Sequence, residues 1–245
     1  MKKKLEFYWK YHKGFLFICA LGIVMLGLYI YNQVTAPIIY VSGFMLNADS
    51  AGTTNARDLE NAFIEKYGIA PSDGKVMFND QYICKPGDDS VSEENYESVK
   101  EMWLAKSRRT LDFVCGPRED MINLVYDTIV ADTTMFSDLR DVLSTKDMAK
   151  YEKNFLYIDY DVVQQLEKAF DKKQDTSEIA IPDCTKPEDM KEPIPILIDI
   201  SSAEKLSSIY TSSDSIALGF IEGIAAPCRN AVLEYLEFIE LKEAE

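Results

Sequence analysis

The spacing of apolar and polar positions divides the chain at about residue 35. Gly14 to Tyr31 (GFLFICALGIVMLGLYIY) is an unbroken apolar run without a charge. Beyond it, apolar positions recur with strand or helix periods. Ile38–Phe44 is rich in β-branched and aromatic residues and predicts a strand. Leu59, Ala62, Phe63 and Tyr67 fall on one helical face, so a helix runs over about 56–67, stopped by Gly68. A strand follows at Lys75–Phe78, then a loop at Pro86–Asp89 and a helix opening at Ser92. Thr110–Cys115 predicts a strand and Pro117 the first turn of the next helix. Ser144 marks a helix start, Phe155–Ile158 a strand, and Val162, Val163, Leu166, Ala169 and Phe170 a helix. Residues 172–193 read as a polar surface excursion. Pro195–Ile200 and Ser215–Ile221 predict strands around a short helix at 203–209, and a helix over about 227–242 closes the chain. Strands alternating with helices make the class α/β.

The uncharged run spans about 27 Å as a helix, against a hydrocarbon core of roughly 30 Å. Tyr8, Trp9 and Tyr11 precede it and Tyr29 and Tyr31 end it, the pattern of an aromatic belt. Lys2, Lys3, Lys4, Lys10 and Lys13 against Glu6 put a net positive charge before it. That asymmetry keeps the N-terminus in the cytoplasm and sends the rest outside. A cleaved signal peptide has a shorter apolar stretch, and Pro37 after Val34-Thr35-Ala36 makes a poor cleavage site. The expectation is therefore a cytoplasmic segment 1–13, a transmembrane helix over 14–34 in the lipid bilayer, and an extracytoplasmic α/β domain over 36–245. This makes a single-pass cell-membrane protein.

Charge narrows the partners. Of 245 residues, 26 are basic and 41 acidic, and residues 36–245 alone hold 21 basic and 40 acidic side chains, a net of −19. That excludes the usual basic nucleic-acid binder. The one histidine is His12, so the ectodomain has no imidazole for a triad or a His-ligated metal. Cys84, Cys115, Cys184 and Cys228 read as buried thiols, with two disulfides as the open alternative. No phosphate loop, dinucleotide fingerprint or EF-hand pattern occurs. The pairs Glu119-Asp120, Asp138/Asp141 and Asp159/Asp161 read as solvated surface. No cofactor or metal is implied.

Ligands of open α/β sheets gather at strand carboxyl ends, and helix N-termini favour anions. By that geometry Arg118, after Gly116-Pro117, is the leading candidate for a ligand contact. Asn47 and Asp49, after the first strand, join it.

Four segments also carry a resemblance. Thr110–Gly116 (TLDFVCG), Met135–Tyr151 (MFSDLRDVLSTKDMAKY), Pro195–Leu206 (PILIDISSAEKL) and Ala226–Ile239 (APCRNAVLEYLEFI) resemble, in order, segments of extracellular solute-binding proteins of the two-lobed, type 2 periplasmic class. The resemblance implies a small two-lobed ectodomain, with one lobe from about 36–135 and 215–245 and the other from about 136–214. It adds Tyr160 and Asp199 as ligand contacts near the lobe crossing. It also implies a non-catalytic protein that binds a small molecule or peptide. The chain is shorter than such proteins and lacks their lipobox. The alternative is thus an envelope scaffold or transporter-accessory protein that keeps the fold without a functional cleft.

Overall fold

The computed structural model describes residues 14, 15, 17–27, 38–51, 53–84, 93–130, 134–176 and 179–241. Two units emerge: residues up to Ile38, and Ile39–Glu245. In the first, the described residues of 14–27 are helical (α1). Its large apolar side chains, from Phe15 to Leu26, are 52–72% exposed. No helix among the described residues is long and apolar enough to cross a membrane. The expected span continues through 28–34, which lie outside the described residues, as do the basic segment 1–13, His12 and the loop at Pro86–Asp89.

The second unit is α/β, built on one six-stranded mixed sheet in the order β2-β1-β3-β6-β5-β4. The strands are β1 (Ile39–Met45), β2 (Lys75–Asn79), β3 (Phe113–Pro117), β4 (Phe155–Asp159), β5 (Pro193–Asp199) and β6 (Ile216–Phe220). The longer helices are α2 (Asn55–Tyr67), α3 (Glu93–Ser107), α4 (Arg118–Val130), α7 (Tyr160–Asp171) and α8 (Ala226–Phe238). Two short ones, α5 (Leu139–Val142) and α6 (Thr145–Tyr151), lie between α4 and β4. β1 runs parallel to β2 and β3, β6 is antiparallel to β3 and to β5, and β4 is antiparallel to β5.

Strand alternation sorts the core into two layers. Val41, Met45, Phe113, Cys115, Leu218 and Phe220 face α2 and α8. Phe44, Leu46, Val114, Ala217 and Leu197 face α3, α4 and α7. The first layer is an aromatic cluster: Phe113 stacks on Tyr235 at 4.7 Å between ring centroids, and Phe63 meets Phe238 edge-on at 5.3 Å. Such pairs contribute about 0.5–1.5 kcal/mol each beyond area burial. Gly43 admits the Phe113 ring, since a Cβ there would lie 2.0 Å from it.

Helix ends follow the local sequence. Gly68 takes the left-handed conformation (φ 63°) and its N–H bonds back to Glu65 and Ile64, ending α2. Ser144 caps α6 through the Asp147 N–H at 3.2 Å. Three expectations are corrected. Pro117 ends β3 opposite Ile216 instead of opening α4. The helix expected at 203–209 is a single 3-10 turn, Glu204–Leu206. β5 begins at Pro193, inside the expected excursion, because edge partner β4 pairs Asp159 with it.

The segments assigned above to two lobes share this sheet. β5 and β4, from the expected second lobe, join β6 through Ile198↔Leu218 and Asp199↔Ala217. Residues Ile39–Glu245 accordingly form one compact unit.

Candidate functional site

Strand direction determines which residues can meet. β1, β2, β3 and β5 run the same way, so their carboxyl ends share one edge with the starts of β6 and β4. Asn47, Asp49, Arg118 and Asp199 lie at this edge. Tyr160 does not: β4 runs the other way and delivers it, at the start of α7, to the opposite edge. There its N–H bonds to Glu192 O at 3.0 Å.

Arg118 and Asp199 form an ion pair through Nη2 and Oδ2, with side chains 28% and 23% exposed. Asp199 also accepts the Ser201 N–H at 2.9 Å and the Ser201 hydroxyl. Ser201 Oγ in turn accepts the Ile216 N–H at 2.9 Å. The Arg118 backbone N–H bonds to Ser215 O at 3.0 Å, which uses the first N–H of α4. Arg118 Nε is buried without a hydrogen-bond partner among the described residues.

Asn47 is spent on structure. In the left-handed region (φ 52°), it accepts the Cys84 N–H at 2.8 Å. Its amide donates to Cys84 O at 2.5 Å and to Asp120 Oδ2 at 2.7 Å. It therefore ties the β1 loop to the β2 loop and to the first turn of α4, two residues from Arg118. Asp49 accepts the Thr211 and Ser212 N–H groups, each at 2.7 Å, and the Ser212 hydroxyl at 2.7 Å. Those bonds, the Ser212 N–H foremost, hold its carboxyl below the usual value. Behind them, Ser50 donates to buried Asp80 at 2.6 Å.

One recess opens here. About 380 Å³ lies between α4 and residues 181–184, lined by Arg118, Glu119, Ile122, Asn123, Cys184 and Ser215 among others. Burial pushes the Cys184 thiol up, with nearby Arg118 pulling the other way. Buried Cys84 and Cys115 are raised to about 12 by desolvation, and Cys228 to about 11, also mainly by desolvation with Asp112 beside it. These thiols are protonated at neutral pH and are weak nucleophiles. All five cysteines, Cys19 included, are free of disulfides. Among the described residues, no cluster of three His, Cys, Asp or Glu residues is placed to hold a metal ion.

The acidic pairs are not all solvated surface. Asp159 is 5% exposed and accepts three backbone N–H groups at 3.0 Å, from Asp161, Lys191 and Glu192. It caps α7 and clips the 190–192 segment to the end of β4. An Asp immediately before a helical period is the signal that marks such a cap. Asp120 receives Asn47, and Asp138 caps α5 through the Arg140 N–H at 2.8 Å. Asp112 had no sequence signal: it is buried, accepts the Ser42 N–H at 2.8 Å, and is raised by desolvation.

Two larger recesses lie elsewhere. About 780 Å³ runs along edge strand β2 and α2, and about 410 Å³ lies between the β2 loop and α3. Comparison with protein-family models, with curated proteins and with solved structures finds no match to this chain.

Proposed function

We propose that the chain is a membrane-anchored, non-catalytic protein-binding module, an accessory or scaffold component of the cell envelope. The observation that carries this reading is the engagement of the carboxyl edge. Arg118, Asn47, Asp49 and Asp199 are each committed to an intramolecular bond that ties loops together. A solute site needs convergent polar groups left available to a ligand. The recess beside Arg118 is small, and Glu119 and Asp183 line it too, which disfavours an anionic solute. The resemblance to two-lobed solute-binding proteins then concerns the order of segments, with the cleft replaced by a continuous sheet. The second reading, a small-molecule or peptide ligand at Arg118, draws on its unpartnered Nε.

Anchoring is supported by the exposed apolar side chains of α1. A helix apolar on all sides is stable when hydrocarbon surrounds it. The lysine asymmetry supports a cytoplasmic N-terminus with the domain outside.

Protease added to intact cells is expected to digest the C-terminal domain and spare a tag at residue 1. Protection of that domain, with its protease sensitivity shown in lysed cells, defeats the topology. A photo-crosslinking side chain in place of Met77, which is 43% exposed on outer strand β2, is expected to yield a discrete heavier adduct in intact cells, and its absence there counts against a protein partner at that strand. The solute-binding reading returns if a small molecule raises the melting temperature of the detergent-solubilised chain and Asn123→Trp, which blocks the recess, removes the effect.

A further inference from the structure

Among the described residues β2 ends the sheet, so its outer edge has no neighbouring strand there. On the β3 side of β1, Ser42 donates its N–H to the Asp112 carboxylate and accepts the Asp112 N–H at its carbonyl, so the backbone groups of Val41 and Gly43 face β2. Alternation then turns Met77 toward β1 and the N–H and C=O groups of Val76 and Phe78 outward. The Phe78 N–H meets the Glu60 carboxylate at 3.3 Å. A side chain thus stands where the carbonyl of an added strand would accept. Guarding an edge with a carboxylate is how sheets avoid indiscriminate pairing.

Walls rise on both sides of this edge. The two recesses both border Asn79 and Gln81, the larger running along β2 and α2 and the smaller continuing past the end of β2 toward α3. The α2 wall presents Ile64 and Arg57 beside Glu60. The wall at α3 presents Glu97 and Glu101, with Lys100 paired to Glu97 at 2.9 Å. Met77 is 43% exposed on the strand itself.

We propose that the β2 edge binds an extended segment of a partner protein as an added strand, one carrying lysine or arginine at alternate positions. The incoming carbonyl takes over the Phe78 N–H. Glu60 is released toward Arg57, one turn back on α2, while the lysines, all on one face of the added strand, pair with Glu97 and Glu101 on the α3 wall. Main-chain bonds supply affinity and the charged walls supply selectivity. A second copy of this chain is a poor occupant, because it would set acidic walls against each other in a domain of net charge −19. This inference rests on the protein-binding reading above.

The test uses the full chain in detergent micelles and fluorescein-labelled (Lys-Val)4 peptide, read by anisotropy at low salt. Binding is expected. It should weaken at least tenfold when every peptide nitrogen is methylated, when Glu replaces Lys in the peptide, and in the protein variant Glu97→Lys/Glu101→Lys. Far-UV circular dichroism of that variant should match the parent. No binding of (Lys-Val)4, or equal binding of the methylated peptide, overturns strand addition; equal binding by the charge-reversed variant overturns the location. Peptide-independent dimers in sedimentation, dispersed by Met77→Lys, would assign the edge to a second copy. An adduct from position 77 in cells combined with failure of the peptide would leave the protein-binding module standing and remove only the strand mechanism.

Discussion

Arg118→Ala separates the two functional readings. If Arg118 waits for an anionic ligand, its removal leaves the unliganded protein almost as stable as before. If the pair is structural, removal weakens the fold. The Arg118 and Asp199 side chains are 28% and 23% exposed, so the pair lies between two regimes. Exposed pairs contribute about 0.2–1 kcal/mol, and breaking a fully buried one costs about 3–5 kcal/mol. Asp199 keeps the Ser201 N–H at 2.9 Å after the substitution, which limits its loss. We therefore expect a destabilisation of about 2 kcal/mol, or a fall in melting temperature of roughly 4–8 °C for a domain of this size. Part of that comes from the lost alkyl stem. A double-mutant cycle with Asp199→Ala isolates the pair, with an expected coupling of about 1 kcal/mol. Calorimetry on the detergent-solubilised chain reads both quantities. A melting temperature unchanged within about 1 °C, with no coupling, refutes the structural assignment and favours the ligand site.

Asp159→Ala orphans three backbone N–H groups and should cost about 3–5 kcal/mol in denaturant melts; a change under about 1 kcal/mol would show that the clip is dispensable. Gly43→Ala drives a Cβ into the Phe113 ring and should destabilise by about 1–3 kcal/mol or more, with the near-ultraviolet aromatic signal altered; a neutral result means the sheet relaxes freely there. In native protein at pH 8, iodoacetamide should modify Cys184 and Cys228 well before Cys84 and Cys115, whose thiols are raised to about 12; mass spectrometry showing early Cys115 labelling contradicts its burial. Because folding lowers the Asp49 carboxyl, its stabilisation is present above the ordinary aspartate range and is lost as pH falls through the folded value. Asp49→Asn should therefore flatten the acid limb of stability below pH ~4, and an unchanged limb counts against the Ser212 bonds.

Elements were legible where a local pattern determines them. Leu59, Phe63 and the stop at Gly68 were enough for α2, and Val162, Val163 and Leu166 for α7. The strands were readable from composition. Direction was not, because antiparallel and parallel strands of a buried sheet carry the same apolar runs. That one quantity separates Tyr160 from Asp199. It also hid the merging of the expected lobes, which depends on β5 and β6 meeting across a two-pair ladder. Asn47, Asp49 and Arg118 follow strand ends as expected, and Asp199, named through the resemblance, ends β5, yet residue type alone does not tell a ligand contact from a loop tie. The bonds that Asp112 makes to Ser42 and Asp120 to Asn47 join residues about 70 apart in the chain, which no local pattern reveals.

The narrow join between β5 and β6 explains why the carboxyl edge is so heavily bonded. Two register pairs are a weak seam for a six-stranded sheet. At that seam Ile200 N–H reaches Ile216 O at 2.9 Å, and Ser201 Oγ accepts the Ile216 N–H at 2.9 Å. The Arg118–Asp199 pair then ties β3, through the start of α4, past β6 to β5. The side chains that the two-lobed expectation put along a cleft here bond across the seam. On the scaffold reading proposed above, those bonds hold the sheet as one piece, whereas a solute-binding protein that closes around its ligand needs the seam free to open. Replacing Ser201 with Ala should therefore raise hydrogen exchange selectively at Ile200 and Ile216 while leaving the β1–β2 ladder protected. Uniform loosening across all six strands would show that Ser201 has no special part in holding the β5–β6 seam.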